Sequence, residues 1–332
     1  MLHLIFKLPS WLLLKISGKK QIQIGDRKLH PPYQLLLKFN ERLALDYDSI
    51  TPEEFRESFS DSAFPKKMPQ NIEWEDHKVN VDGGSIQVRE YKPPVLEDIS
   101  PALVYFHGGG WVIGDIETHH EFTATLSERL GIKVFSVDYR LSPEYKFPTP
   151  LNDCNSAFNW VLNNADALGV DPSRISVGGD SAGGNLSTCL CILRKKDAEP
   201  LPRSQLLIYP VTNLTMDTKS YKECEEGFFL SKKSMEWFRG HYLNSSEERN
   251  DSTASPLLEE DLKGHPPAVI TTAGFDPLRD EGYDYSEKLK KNGVPVSYVE
   301  YPGFIHGFAN MSFIPGINEA VEELCEEVSK FI

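Results

Sequence analysis

Apolar positions follow two different spacings along the chain, and the change near residue 73 divides it. Before that point they recur at helical intervals. Pro31-Pro32 is followed by Tyr33, Leu35, Leu36, Leu37, Phe39, Leu43 and Leu45, which predicts a helix opened by proline. Thr51-Pro52-Glu53-Glu54 predicts a second helix, with Thr51 as its cap and Pro52 in the first position. No strand alternation is evident here, so residues 1–70 read as the first part of a helical cap.

Beyond residue 73 short apolar runs alternate with helix-length segments. Val79, Val81, Ile86 and Val88 flank Asp82-Gly83-Gly84 and predict a hairpin. Ala102–Phe106 and Ile132–Val137 are continuous apolar runs, as buried strands require, with a helix-length stretch at 119–130 between them. Leu151, Cys154, Phe158, Val161 and Leu162 follow Pro148 and Pro150 at helical spacing. Arg174–Val177 predicts a strand, Leu186–Leu193 a helix and Gln205–Tyr209 another strand. The rhythm breaks over 212–262, a polar stretch carrying Phe228, Phe229, Leu230, Met235, Trp237 and Phe238. It resumes with Ala268–Thr272, a helix near 280–292, Val296–Val299 and a helix near 317–331. Strands alternating with helices imply a parallel sheet covered on both faces. The expected division is an α/β core made of 71–211 and 263–332, with 212–262 as the second part of the cap.

Composition narrows the function. The net charge of −14, with no basic block longer than Arg194-Lys195-Lys196, argues against nucleic acid, whose phosphates call for clustered Lys and Arg. The five cysteines, Cys154, Cys189, Cys191, Cys224 and Cys325, are scattered. No pair has zinc-ligand spacing with a nearby histidine, so no metal is expected. A reducing compartment, and so a cytoplasmic location, is the expectation. The first fifteen residues are apolar but interrupted by Lys7, Pro9 and Lys15, too short for the ~20 residues of a membrane span and a poor fit to a signal peptide. They read as an amphipathic helix packing over the site, with a membrane-surface anchor as the alternative.

The candidate chemistry centres on Gly179-Asp180-Ser181-Ala182-Gly183, a Gly-x-Ser-x-Gly sequence between a predicted strand and a predicted helix. That context is a nucleophile elbow: a sharp turn lifts the serine to the start of a helix, where free amides favour negative charge. A serine hydroxyl needs a base, itself oriented by a carboxylate, and in this context the chain order is Ser, Asp or Glu, His. Only His241, His265 and His306 follow Ser181. His241 lies in the polar insertion and His265 at the wrong end of a strand, whereas His306 comes just after the last strand. Asp276, after the strand at 268–272, is the candidate acid, with Asp280 and Glu281 as rivals. His107-Gly108-Gly109-Gly110-Trp111 follows the strand at 102–106 and can turn backbone amides toward an oxyanion, with the Ala182 amide as a further donor. His107 is expected to shape this loop rather than to catalyse.

Together His107–Gly110, Tyr139-Arg140-Leu141-Ser142-Pro143-Glu144, Gly179–Gly183, Asp276-Pro277-Leu278-Arg279-Asp280 and His306-Gly307-Phe308 resemble the hormone-sensitive-lipase-like branch of the α/β-hydrolases, over roughly residues 75–332. The resemblance implies a mostly parallel eight-stranded sheet flanked by helices, with a helical cap. It implies Ser181 as nucleophile, His306 as base and Asp276 as its orienter, with Gly108, Gly109 and Ala182 as oxyanion donors. It further implies a carboxylesterase acting on short- to medium-chain acyl esters, without a cofactor, often as a homodimer. Tyr139–Glu144 is expected to brace the site. The rival readings are an amidase or deacetylase on the same triad, a membrane-anchored lipase, and a non-catalytic receptor for a small molecule on the same fold.

Overall fold

A computed structural model describes residues 2–41, 45–60 and 68–332. The chain opens with a 3₁₀ turn, Leu2–Lys7, and helix α1, Ser10–Ser17. A small hairpin follows, β1 (Gln23–Ile24) with β2 (Arg27–Lys28). Two-residue strands are too short to show alternation, which is why a purely helical start is the sequence expectation; their signal is the tight Gly25-Asp26 turn, with Gly25 at φ 58°. Helices α2 (Pro31–Asn40) and α3 (Pro52–Ser60) complete this region. Helix α2 ends at Asn40; of the two residues expected to continue it, Leu43 lies outside the described residues and Leu45 is not helical.

Strands β3 (Glu73–Val81) and β4 (Gly84–Lys92) form the expected antiparallel hairpin. Then come β5 (Ser100–Phe106), α4 (Ile116–Leu130), β6 (Lys133–Asp138), α5 (Thr149–Asn163), α6 (Ala165–Leu168), β7 (Val170–Asp180), α7 (Ala182–Lys196) and β8 (Gln205–Ile208). Helix α4 starts three residues before the expected 119. Asp115 accepts from the Thr118 amide while the Thr118 side chain accepts from the Asp115 amide, a reciprocal cap that fixes the start. After β8 the polar stretch forms α8 (Lys219–Glu223) and α9 (Lys232–Tyr242). The chain ends with β9 (Ala268–Phe275), α10 (Arg279–Lys291), β10 (Val296–Ile305) and α11 (Ile317–Ser329). Strand β10 runs six residues past the expected stretch, through an irregularity between Tyr301 and Ile305.

The eight main strands form one sheet in the order β10-β9-β8-β7-β5-β6-β4-β3. The pairs from β10 to β6 are parallel, and β4 and β3 are antiparallel additions. The strands β5, β7, β8 and β9 are buried along their whole observed lengths, apart from residues 171–174 at the start of β7. Continuous Val, Ile and Leu in these strands follow from covering both faces with helices. Parallel strands put all their carboxyl ends on one side, and loops there come from β5, β7, β9 and β10.

The 212–262 insertion is held at its root by buried polar groups. Asn185 on α7 donates through Nδ2 to Val211 O (2.9 Å) and to Ala254 O (3.0 Å). Glu281 Oε1 accepts from the amides of Thr212 (2.7 Å) and Asn213 (3.1 Å). Further out, Phe238 of α9 stacks on Phe55 of α3 (ring centroids 5.8 Å apart), and Trp237 meets Phe55 (5.7 Å) and Tyr47 (6.1 Å). An aromatic contact thus joins the early helices to the insertion. Among the described residues no helix is long and apolar enough to cross a membrane, and the five cysteines are free and buried.

Candidate active site

Ser181 sits between the end of β7 and the first residue of α7, with φ 54° and ψ −116°. A side chain at positive φ is strained by about 1–3 kcal/mol, and surrounding bonds must hold it there. They do: the Ser181 amide donates to Ile208 O (2.8 Å), and Ser181 O accepts from Asn185 N (3.0 Å) and Val211 N (3.3 Å). The turn is so tight that a Cβ at Gly183 would lie 1.8 Å from Phe106 O, and one at Gly179 2.3 Å from the same oxygen.

Strand β10 delivers His306 and strand β9 delivers Asp276 to this serine. His306 Nε2 lies 2.9 Å from Ser181 Oγ, and His306 Nδ1 lies 2.7 Å from Asp276 Oδ2. A carboxylate can only accept, so Nδ1 carries the proton and Nε2 presents its lone pair to the hydroxyl. Asp276 is wholly buried, whereas Ser181 and His306 keep 8% and 6% exposure. The other Asp276 oxygen accepts from Leu278 N (2.8 Å), which fixes the carboxylate plane. Tyr209 packs against the imidazole, ring centroids 4.6 Å apart.

The rival residues go elsewhere. Asp280 pairs with Arg279 and accepts from Ser220 N, and Glu281 holds the root of the insertion. His241 lies against Trp237, and His265 is buried just before β9, at the far end of the sheet.

The glycine loop after β5 is shaped by backbone that only glycine adopts easily: Gly109 has φ 118° and Gly110 φ 59°. A Cβ on Gly109 would meet Ile113 O at 2.1 Å, and one on Gly110 would enter the Phe238 ring at 2.3 Å. The expectation that Gly108 donates to an oxyanion is corrected here. Its amide already donates to Asp180 Oδ1 at 3.0 Å. The amides of Gly109, Gly110 and Ala182 have no protein acceptor recorded among the described residues. His107 shapes the loop, as expected: its Nδ1 lies 2.7 Å from Gly108 O, its carbonyl accepts from Tyr139 Oη (2.8 Å), and its ring stacks on Tyr139 at 4.3 Å. Burial, then the nearby His119, push the His107 pKa down to about 4. The Tyr139–Glu144 stretch also accepts from α3, where Arg56 donates to Glu144 Oε1 (2.8 Å), Ser142 O (2.8 Å) and Val112 O (2.8 Å).

Asp180 is the residue that sequence reading misses. It is buried, and its Oδ1 accepts from Tyr105 Oη (2.6 Å) and Gly108 N (3.0 Å), with His119 Nε2 3.4 Å away. Its Oδ2 accepts from Asn310 Nδ2 (3.3 Å), four residues past His306. Burial alone pushes this carboxyl up; the His119 charge and the hydrogen bonds from His119 and Tyr105 outweigh it and hold the pKa near 2. One carboxylate thus joins the elbow, the glycine loop and the segment after the base.

Among the described residues, the one group of three or more side chains with metal-ligand geometry is Glu75, His77 and Glu90, on the outer hairpin away from Ser181. Lys133 and Lys92 lie 3.0 and 3.4 Å from Glu90 and already supply the positive charge there.

Comparison with known proteins bears on the fold and the activity. Residues 103–310 match a family model described as the alpha/beta hydrolase fold. The chain is 36% identical to the carboxylic ester hydrolase LipN of Mycobacterium tuberculosis, over 95% of this chain and 87% of that protein. It is 37% identical to an ethyl acetate hydrolase of Pseudomonas putida, over 73% of this chain and 77% of that one. Among solved structures, an esterase of Pyrobaculum calidifontis superposes with a TM-score of 0.84 at 38% identity, covering 89% of this chain and 97% of its own.

Proposed function

The chain belongs to the hormone-sensitive-lipase-like branch of the α/β-hydrolase family and is a carboxylic ester hydrolase, and from that premise we propose that it cleaves short- to medium-chain acyl esters through a Ser181–His306–Asp276 triad. The observation that carries the reading is the unbroken relay of 2.9 and 2.7 Å from hydroxyl to imidazole to carboxylate. Ser181 Oγ attacks the ester carbonyl carbon while His306 Nε2 takes the hydroxyl proton. Asp276 stabilises the imidazolium without itself taking the proton. The amides of Gly109, Gly110 and Ala182 face the developing oxyanion, each donor contributing about 2.7–4 kcal/mol to the transition state. Collapse expels the alcohol, protonated by His306. Water activated by the same imidazole then attacks the acyl-enzyme, a second oxyanion forms, and the acid leaves.

Residues 1–70 and 212–262 act as the two parts of a cap, and the aromatic contact between Phe55 and Phe238 supports this. Phe238 packs on Gly110, so the roof is apolar where acyl or alcohol groups would lie. The relative named ethyl acetate hydrolase is consistent with small acyl groups. The test is hydrolysis of p-nitrophenyl esters from C2 to C12. The rate should peak at C8 or below, and Ser181→Ala should lower kcat on the best ester by about 10⁴-fold or more. A Ser181→Ala enzyme of undiminished kcat would overturn the triad; a best substrate at C12 would overturn the chain-length reading alone.

A further inference from the structure

Residues 1–25 contain four lysines, Lys7, Lys15, Lys19 and Lys20, and neither Asp nor Glu, in a chain of net charge −14. This segment is firmly seated on one side. Phe6 is buried against Phe39 and Phe313, Leu13 is buried, and Gln34 Nε2 donates to Ser17 Oγ (3.0 Å) and Lys20 O (3.1 Å) while its Oε1 accepts from Ile22 N (2.9 Å). Three large apolar side chains of the segment stand exposed: Trp11 is 66% exposed, Leu4 54% and Ile16 41%. Leu8, Leu12 and Leu14 are half-buried. Elsewhere among the described residues such side chains stand singly or, as Val95 and Ile99 do, as a pair in one loop; here three stand on one short segment.

From this we infer that α1 and the turn before it form a monotopic docking face for an anionic lipid surface, with Trp11, Leu4 and Ile16 entering the headgroup–acyl boundary and the lysines meeting lipid phosphates. Indole rings favour that boundary, where one edge is apolar and the other wet, and lysines flanking an apolar helix face bind anionic headgroups. Lys19 also pairs with Glu41 (2.8 Å), but among the described residues no ion pair is recorded for Lys7, Lys15 or Lys20. A second copy of this chain is the poorer occupant. A two-fold contact through this face would set its lysines against their own copies with no acid in the segment to neutralise them. This docking goes beyond the reaction proposed above and depends on none of the triad or oxyanion residues.

Flotation of the full chain with large unilamellar vesicles tests it. The wild type should float with equimolar phosphatidylglycerol and phosphatidylcholine, float weakly with phosphatidylcholine alone, and detach as salt rises to 0.5 M. Trp11→Ser with Ile16→Ser should weaken binding at least tenfold. Each lysine near an anionic surface strengthens binding roughly fivefold, so Lys7→Glu, Lys15→Glu and Lys20→Glu together should weaken it on the order of a hundredfold. Both variants should keep wild-type circular dichroism and melting temperature. Absence of wild-type flotation on the anionic vesicles would overturn the inference, as would undiminished binding by the Trp11/Ile16 variant. A dimer by light scattering that this variant dissociates, without vesicle binding, would assign the face to a second copy and overturn it equally.

Discussion

Replacing Asp180 by alanine separates the glycine loop from the elbow. Two buried donors, Tyr105 Oη and the Gly108 amide, lose their acceptor, having held it at 2.6 and 3.0 Å. An orphaned buried donor costs about 1–3 kcal/mol, so the pair costs about 2–6 kcal/mol. That is a large share of the 5–15 kcal/mol typical of a whole domain, and a clear fall in Tm is expected. The catalytic loss is separate. Gly108 anchors the loop that carries the Gly109 and Gly110 amides, and an amide that drifts off the oxyanion forfeits about 10²–10³ in kcat. Aspartate to asparagine is the control. Its carbonyl oxygen can still accept from Tyr105 and Gly108, and the new amide group can pair with Asn310 once that side chain turns its own carbonyl inward. Steady-state kinetics on p-nitrophenyl butyrate, at a temperature where circular dichroism finds each variant folded, should give Asp180→Ala a kcat lower by about 10²–10³ with KM within about threefold. Asp180→Asn should stay within about tenfold of wild type. A folded Asp180→Ala enzyme with kcat within about threefold of wild type would refute the view that this carboxylate holds the loop in register.

Three other outcomes follow from the same coordinates. His265 is buried, with both ring nitrogens unpaired among the described residues, and burial followed by the Lys195 charge pushes its pKa down to about 4. A lowered histidine pKa means the unfolded chain binds the extra proton first, so stability is intact above about pH 6.5 and falls as pH drops toward 4; His265→Phe should flatten the decline in unfolding free energy between pH 6.5 and 4, measured by denaturant titration, by about 1.4 kcal/mol per pH unit, and an unchanged slope would reject the assignment. Gly183→Ala places a methyl 1.8 Å from Phe106 O and should cost at least about 3 kcal/mol, read as a drop in melting temperature and lost activity. Phe238→Ala removes the ring over Gly110 and should raise kcat/KM for C8 relative to C4 esters by about tenfold; no change in the ratio would show that this ring does not bound the acyl site.

The residues that were legible in the sequence are those whose place follows from strand order. Ser181, Asp276 and His306 each leave the carboxyl end of a buried, apolar strand, and a parallel sheet gathers such ends without further information. The glycine loop was legible as a loop but not amide by amide. Nothing in His107-Gly108-Gly109-Gly110 says which N–H turns inward, because Asp180, 72 positions away, takes the first one. Asp180 itself reads as an ordinary variable position inside Gly-x-Ser-x-Gly, and its partners Tyr105, His119 and Asn310 meet only in space. The β1–β2 hairpin was missed because two-residue strands carry no period. The first helix was read as packed or membrane-facing; its side chains divide, Leu13 and Phe6 inward and Trp11 and Ile16 outward, a split that α1 shows only against α2.

Asn185 has a consequence for how this chain can change. Its one amide group grips the backbone where the excursion departs, at Val211, and again late within it, at Ala254. Whatever is spliced between those two doorposts, the hydrolytic scaffold meets the same pair of carbonyls. The seam sets a condition on any exchange: a foreign segment grafted there would also have to replace the Phe238 ring that packs on Gly110.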